Sequence, residues 1–175
     1  MRTFVAVLAL AGSSVAVGTP RAHQVPVLPR FDEFPVSDSF TGPPASPDVK
    51  STRLAHRFRT VIRRGAQAGP NFAGHFTLVR WNCGSGCIMY AVIDATNGRV
   101  FEQPLQTMVG ADFTRTSALL IADTPDSARA RNKGQNPPPN CVSCGTPAAY
   151  AWRGNHFEPI GPGAHPHLPT LRWND

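Results

Sequence analysis

Six consecutive residues, Ile88-Met89-Tyr90-Ala91-Val92-Ile93, are apolar on both alternations of a two-residue period. Successive side chains of a strand point to opposite faces, so such a run suits a central strand covered on both sides. Around it the chain is heavily punctuated. Eighteen prolines and fifteen glycines in 175 residues leave little room for long uninterrupted helices. At 41% hydrophobic and 16% charged positions, this length fits one modest domain with a real core. It excludes a coiled coil, a fully disordered chain and a multidomain enzyme.

Further β-rich runs lie at 75–81, 99–103, 118–122, 149–152 and 156–160. Asp94-Ala95-Thr96-Asn97-Gly98 and Arg153-Gly154-Asn155 separate neighbours with tight-turn chemistry. Ahead of them, Ser46-Pro47-Asp48 reads as a helix entry, with serine as cap and proline in the first turn. Leu54, Phe58, Val61 and Ile62 then fall on one helical stripe that Gly65 and Gly69-Pro70 end. Lys50, Arg53, Arg57 and Arg64 form a second stripe, either a solvated face or an anion-binding ridge. The expected fold is α+β and mainly β. It is an antiparallel β-meander of about five to six short strands, with one N-terminal amphipathic helix on one face.

Residues 1–18 read as a signal peptide. Arg2 precedes an apolar run over 4–11, and Ala16 and Gly18 are small residues at the −3 and −1 positions of a cleavage site. No cysteine follows for lipid attachment, and Gly12, Ser13 and Ser14 break the run well short of a membrane span. The expected location is periplasmic or secreted after cleavage. Residues 19–46, with Pro20, Pro26, Pro29, Pro35, Pro43 and Pro44, read as a Pro-rich linker that Phe31, Phe34 and Phe40 can pin to a core. A single domain over 47–160 contains a long irregular loop at 123–147, and 161–175 is a tail.

The four cysteines form two close pairs, Cys83/Cys87 and Cys141/Cys144. In an oxidising compartment an even count points to disulfides, and three pairings are possible. Local rings are preferred because a hairpin turn holds Cys83 near Cys87. A zinc-binding module using all four cysteines is the alternative in a reducing one. A redox role for Cys141-Val142-Ser143-Cys144 lacks the helix N-terminus that depresses a thiol pKa. His165-Pro166-His167 with His156 offers no fixed third ligand, so neither a metal nor a cofactor is expected.

The formal charge is +6, and fifteen of the seventeen basic residues are arginine. Excess positive charge favours an anionic ligand or an acidic envelope partner. Nucleic acid is not expected, because no run of five or six basic residues occurs and few aromatics interleave with the charges. No phosphate-loop, dinucleotide or nucleophile-elbow pattern is present, since Cys83 occupies the first glycine position of the elbow around Ser85.

The most distinctive text is Gly69-Pro70-Asn71-Phe72-Ala73-Gly74-His75-Phe76, followed by Trp81-Asn82-Cys83-Gly84-Ser85-Gly86-Cys87 and by Asp94 to Gly98. It resembles an uncharacterised family of exported bacterial proteins with a GPNFAGHY-like segment, a W-x-CG-x-x-C turn and a D-x-x-x-G hairpin. Phe76 stands where that family has tyrosine, and Asn82 where it has glycine. The resemblance covers 69–160 and implies an exported class without a reaction or ligand.

Two readings of that segment follow. It is a folding device, or Asn71, His75, Trp81, Gly84, Ser85 and Gly86 rim one shallow binding site. The leading expectation is a non-catalytic binding or interaction module of the cell envelope. The enzyme alternative is a hydrolase using His75 with Asp94 or Asp112, which requires the pair within hydrogen-bonding distance.

Overall fold

The computed structural model describes residues 27–138 and 141–161. The signal peptide, most of the C-terminal tail and the first part of the linker lie outside them. Among the described residues the fold is mainly β, with seven strands in two antiparallel sheets. β1 (Phe76–Gly84), β2 (Cys87–Asp94) and β3 (Val100–Thr107) form the first sheet in sequence order. β4 (Ala111–Phe113), β5 (Leu119–Ala122), β6 (Ala148–Trp152) and β7 (Phe157–Ile160) form the second, also in order. The expected meander is therefore folded into two stacked meanders, with the change of sheet at residues 108–110.

Strand β2 behaves as its composition demands. Ile88, Tyr90 and Val92 point between the sheets, where they join Leu120, Tyr150 and Trp152 in one buried cluster. Met89, Ala91 and Ile93 point the other way, into a cluster with Leu54, Ile62 and Ala66. Those last residues belong to α1 (Arg53–Arg57) and α2 (Arg59–Ala66), which cover the outer face of the first sheet. The second sheet is covered too. Leu119, Ile121 and Ala149 meet Leu28, Phe31 and Phe34.

Three sequence expectations need correction. The single N-terminal helix is two short ones broken at Phe58, and its true cap lies six residues after the expected one. Thr52 is that N-cap, its hydroxyl accepting from the Ala55 amide at 2.9 Å. Ser46-Pro47 is instead held by the Asn97-Gly98 turn, where the Asp48 amide donates to the Gly98 carbonyl. Gly98 has φ 81°, and a Cβ there would collide with the Ser46 carbonyl.

The second correction concerns 123–147, which is not irregular throughout. Helix α3 (Pro125–Arg131) begins there, with Thr124 as N-cap, Pro125 in its first turn and the Thr124 hydroxyl accepting from the Ser127 amide.

The third concerns the Pro-rich stretch. Its described part, 27–46, lies against the body rather than spanning open space. The Val36 amide donates to Thr116, the Ala118 amide to Phe34 and the Ala45 amide to Ala95. The Arg115 guanidinium donates to the carbonyls of Phe40 and Gly74. Phe31 and Phe34 are anchors, as their apolar character allowed.

Both local disulfides are formed. Cys83–Cys87 closes the β1–β2 turn with Cα atoms 5.1 Å apart. Cys141–Cys144 closes a 3-10 turn, Val142–Cys144, with Cα atoms 5.4 Å apart. Paired in this way, the sulfurs are disulfides rather than the thiolates that a four-cysteine zinc site would need. No helix among the described residues is long and apolar enough to cross a membrane.

Candidate functional site

Where the chain changes sheets, a cleft of about 850 Å³ opens between the end of β1, the start of β2 and α3. Its volume falls in the range of small-molecule sites. Arg80, Asn82 and Ile88 line it from the first sheet, Gly110 and Asp112 from the crossover and the start of the second sheet, which serve as its floor, and Asp126 and Arg131 from α3. Arg80 faces the cleft because it lies two residues beyond Leu78 on the inward side of β1, opposite Tyr90 in register. It is exposed, although β1 is buried over its first four residues.

The floor is tightly cross-linked. Asp112 accepts from the Thr124 hydroxyl at 2.5 Å and from the Ser127 hydroxyl at 2.9 Å. Asp123 accepts from the backbone amides of Met108 and Val109 at 2.7 and 2.8 Å. Arg131 donates to the Met108 carbonyl at 2.8 Å, and the Asp123 amide donates to the Gly110 carbonyl. The crossover and the entry of α3 are thus one bonded unit that sets the position of Arg131. Burial pushes the Asp123 carboxyl above its ordinary range, and the amides of Val109, Met108 and Gly110 with the Arg131 guanidinium offset part of that rise.

Beneath Gly110 lies the Tyr90 hydroxyl, fully buried and without a well-aligned partner among the described residues. Burial raises the Tyr90 pKa, with the nearby Thr107 hydroxyl and Arg80 guanidinium acting the other way.

A second cavity of about 460 Å³ adjoins the first, and Val109 and Arg131 line both. Ser85, Gly86, Cys141 and Cys144 are among its other lining residues. Two disulfide turns more than fifty residues apart in sequence therefore face one space.

The residues expected to rim one site are divided between the two ends of β1. Trp81 lines the cleft, and Ser85 and Gly86 line the adjoining cavity. Gly84, exposed, closes the same turn opposite Cys87. Asn71 and His75 sit toward the start of β1, so His75 and Ser85 are separated by about 30 Å of extended chain. Asn71 imitates a strand partner: its amide nitrogen donates to the Leu78 carbonyl, and its oxygen accepts from the Leu78 amide at 2.7 Å. His75 is half-buried with its ring against Phe76, centroids 4.1 Å apart. Gly74, at φ 84°, lets this turn pass the Asp38 carbonyl, which a Cβ would strike. These contacts hold the turn that launches β1.

The carboxylates considered as partners of His75 are committed elsewhere. Asp94 accepts from the Thr96 amide, the Thr96 hydroxyl and the Asn97 side chain within its own turn. Asp112 holds the start of α3. Among the described residues no carboxylate hydrogen-bonds to the His75 ring, and Ser127 donates to Asp112 with no histidine beside it. A nucleophile aligned with a base is therefore not assembled there. No group of three or more histidine, cysteine, aspartate or glutamate side chains among the described residues converges to hold a metal ion. His156 is exposed and beside Asn155, while His165 and His167 lie outside the described residues.

Arg80, Asp123, Ser127 and Arg131 were missed from sequence. Arg80 had a legible signal, as the one charge in the otherwise uncharged run 76–81. Thr124-Pro125-Asp126-Ser127 was legible as a capped helix start. Nothing in the sequence places α3 against β1.

Compared with protein-family models, curated proteins and solved structures, the chain matches none of them.

Proposed function

We propose that the protein is a non-catalytic binding module acting outside the cytoplasm, and that it takes an anion-bearing small ligand in the cleft between Arg80 and Arg131. The observation that carries this reading is the cleft of about 850 Å³ lined by Arg80 from β1 and Arg131 from α3, whose lining carboxylates Asp112 and Asp126 are engaged with Thr124 and Ser127 and with Arg129. Guanidinium groups match carboxylate and phosphate oxygens in bidentate geometry. Asn82 adds an amide on the Arg80 side. The bonded floor holds Arg131 in place before a ligand arrives, which lowers the ordering cost of binding.

Two disulfides support an oxidising location, because reduced cytoplasm does not sustain such bonds. Periplasmic or secreted residence after cleavage near Gly18, and membership in the exported family with the GPNFAGHY-like segment, are part of the same proposal.

Citrate is a suitable probe, since it presents three carboxylates on a compact frame. Titrated into isotopically labelled oxidised protein, it should shift the amide resonances of Arg80, Asn82, Val109 to Asp112 and Arg131 together. Shifts confined to other surfaces, or none at all, would rule out the cleft as an anion site.

A further inference from the structure

A second cationic surface lies away from the cleft. From Val49 to Ile93 the chain has no acidic residue, while Lys50, Arg53, Arg57, Arg59, Arg63 and Arg64 crowd into fifteen positions. All six are exposed. They lie on or beside α1 and α2, whose inner residues Leu54, Ala55, Ile62 and Ala66 are buried against the first sheet. The fold therefore leaves the whole basic set exposed around the helical layer, with Arg63 on the flank beside residues 44–47 and Arg64 on the flank beside β1.

A helix face kept only for solubility alternates the sign of its charges, since opposite charges at i,i+4 stabilise a helix and like charges destabilise it. Here Arg53/Arg57 and Arg59/Arg63 are like pairs at that spacing. Lys50, Arg63 and Arg64 have no acidic partner among the described residues. The arrangement weakens the helices in isolation, and an anionic partner reverses that effect.

We propose that the outer face of α1 and α2 docks a linear acidic polysaccharide through its carboxylate or sulfate groups. The charges stand within about a Debye length of their neighbours and act jointly on a repeating polyanion. A bilayer is the poorer fit, because insertion needs apolar side chains on the outer face. The only exposed large hydrophobic residues among those described, Val27 and Val142, lie outside these helices. The two disulfides argue against nucleic acid by compartment.

The test compares two triple variants of equal charge change in the oxidised protein. Arg59→Gln/Arg63→Gln/Arg64→Gln alters the helical face and retains good helix formers. Arg30→Gln/Arg129→Gln/Arg153→Gln removes three exposed arginines elsewhere. Association with dextran sulfate and with polygalacturonate is measured from about 50 to 200 mM salt. The helical triple should weaken association about ten-fold or more, and lower the slope of log affinity against log salt by about two to three. The other triple should change affinity by less than about three-fold. Equal losses in both triples would overturn the proposal, because net charge alone would then explain binding. Equal or tighter association with phosphatidylglycerol vesicles would also overturn it, in favour of a bilayer. Hydrogen exchange on the unaltered protein supplies a readout free of variant folding: the polymer should protect 50–64, and protection elsewhere only would contradict the docking face.

Discussion

Asp123 ties the change of sheet to the entry of α3. It stands at φ 52°, a conformation disfavoured for a residue with a Cβ. In return its carboxylate bonds the amides of Met108 and Val109 across the change of sheet. Gly145 packs so near the same carboxylate that a side chain there would collide with it. Because burial raises its folded pKa, the native state binds the proton more tightly than the unfolded chain does. Stability from this group is thus complete below the ordinary carboxyl range and declines as pH rises through the raised folded value. Asp123→Asn keeps an acceptor for both amides and cannot titrate. Denaturant midpoints measured from about pH 4 upward should show the native protein losing stability relative to this variant as pH rises. A relative gain with rising pH would contradict the assignment.

The elements differ in how openly the sequence declares them. Strand β2 was legible because apolar side chains on both alternations admit one environment. Strand β4 was not: Ala111, Asp112 and Phe113 are too short a run for a period to appear, and pairing with β5 alone defines them. Helix α3 was obscured by the four prolines that follow it, Pro137, Pro138, Pro139 and Pro147, although its Thr-Pro entry is a good capping sequence. The division into two sheets was hidden because short turns are compatible with one continuous meander or two. For the site, spacing along β1 could not reveal that Trp81 shares a cleft with α3 while His75 lies at the far end. The local pairing of the cysteines carries a direct test. Each ring of four or five residues should contribute about 2 kcal/mol by loop-closure entropy. Replacing Cys83 and Cys87 together by alanine, or Cys141 and Cys144, should lower unfolding free energy by that order. Under long-range pairing the two cysteines would belong to different bonds, so either double replacement would remove both and cost more than about 4 kcal/mol, which would contradict the local rings.

At the scale of the molecule, one stack unites the helices, the first sheet, the second sheet and the arm at 27–34. Phe72 is fully buried between the sheets, with ring contacts to Phe113, Trp152 and Phe157. Ile62 is fully buried under the helices. Ile62→Ala should cost about 2–5 kcal/mol and Phe72→Ala about 3–5 kcal/mol, read from chemical unfolding. Both should shift a single transition seen alike by fluorescence and circular dichroism, since β2 is common to both layers. A Phe72 variant that melts one sheet alone would separate layers that the packing makes interdependent. The cleft depends on that union, because its walls come from both sheets and from α3. Arg80 is the sharpest probe of it, being exposed and outside the bonded floor. Calorimetric titration of citrate into Arg80→Gln should show affinity reduced about ten-fold or more relative to the native protein, as expected for a lost charge-assisted contact. Unchanged citrate affinity in a folded Arg80→Gln variant would contradict the cleft as the binding site.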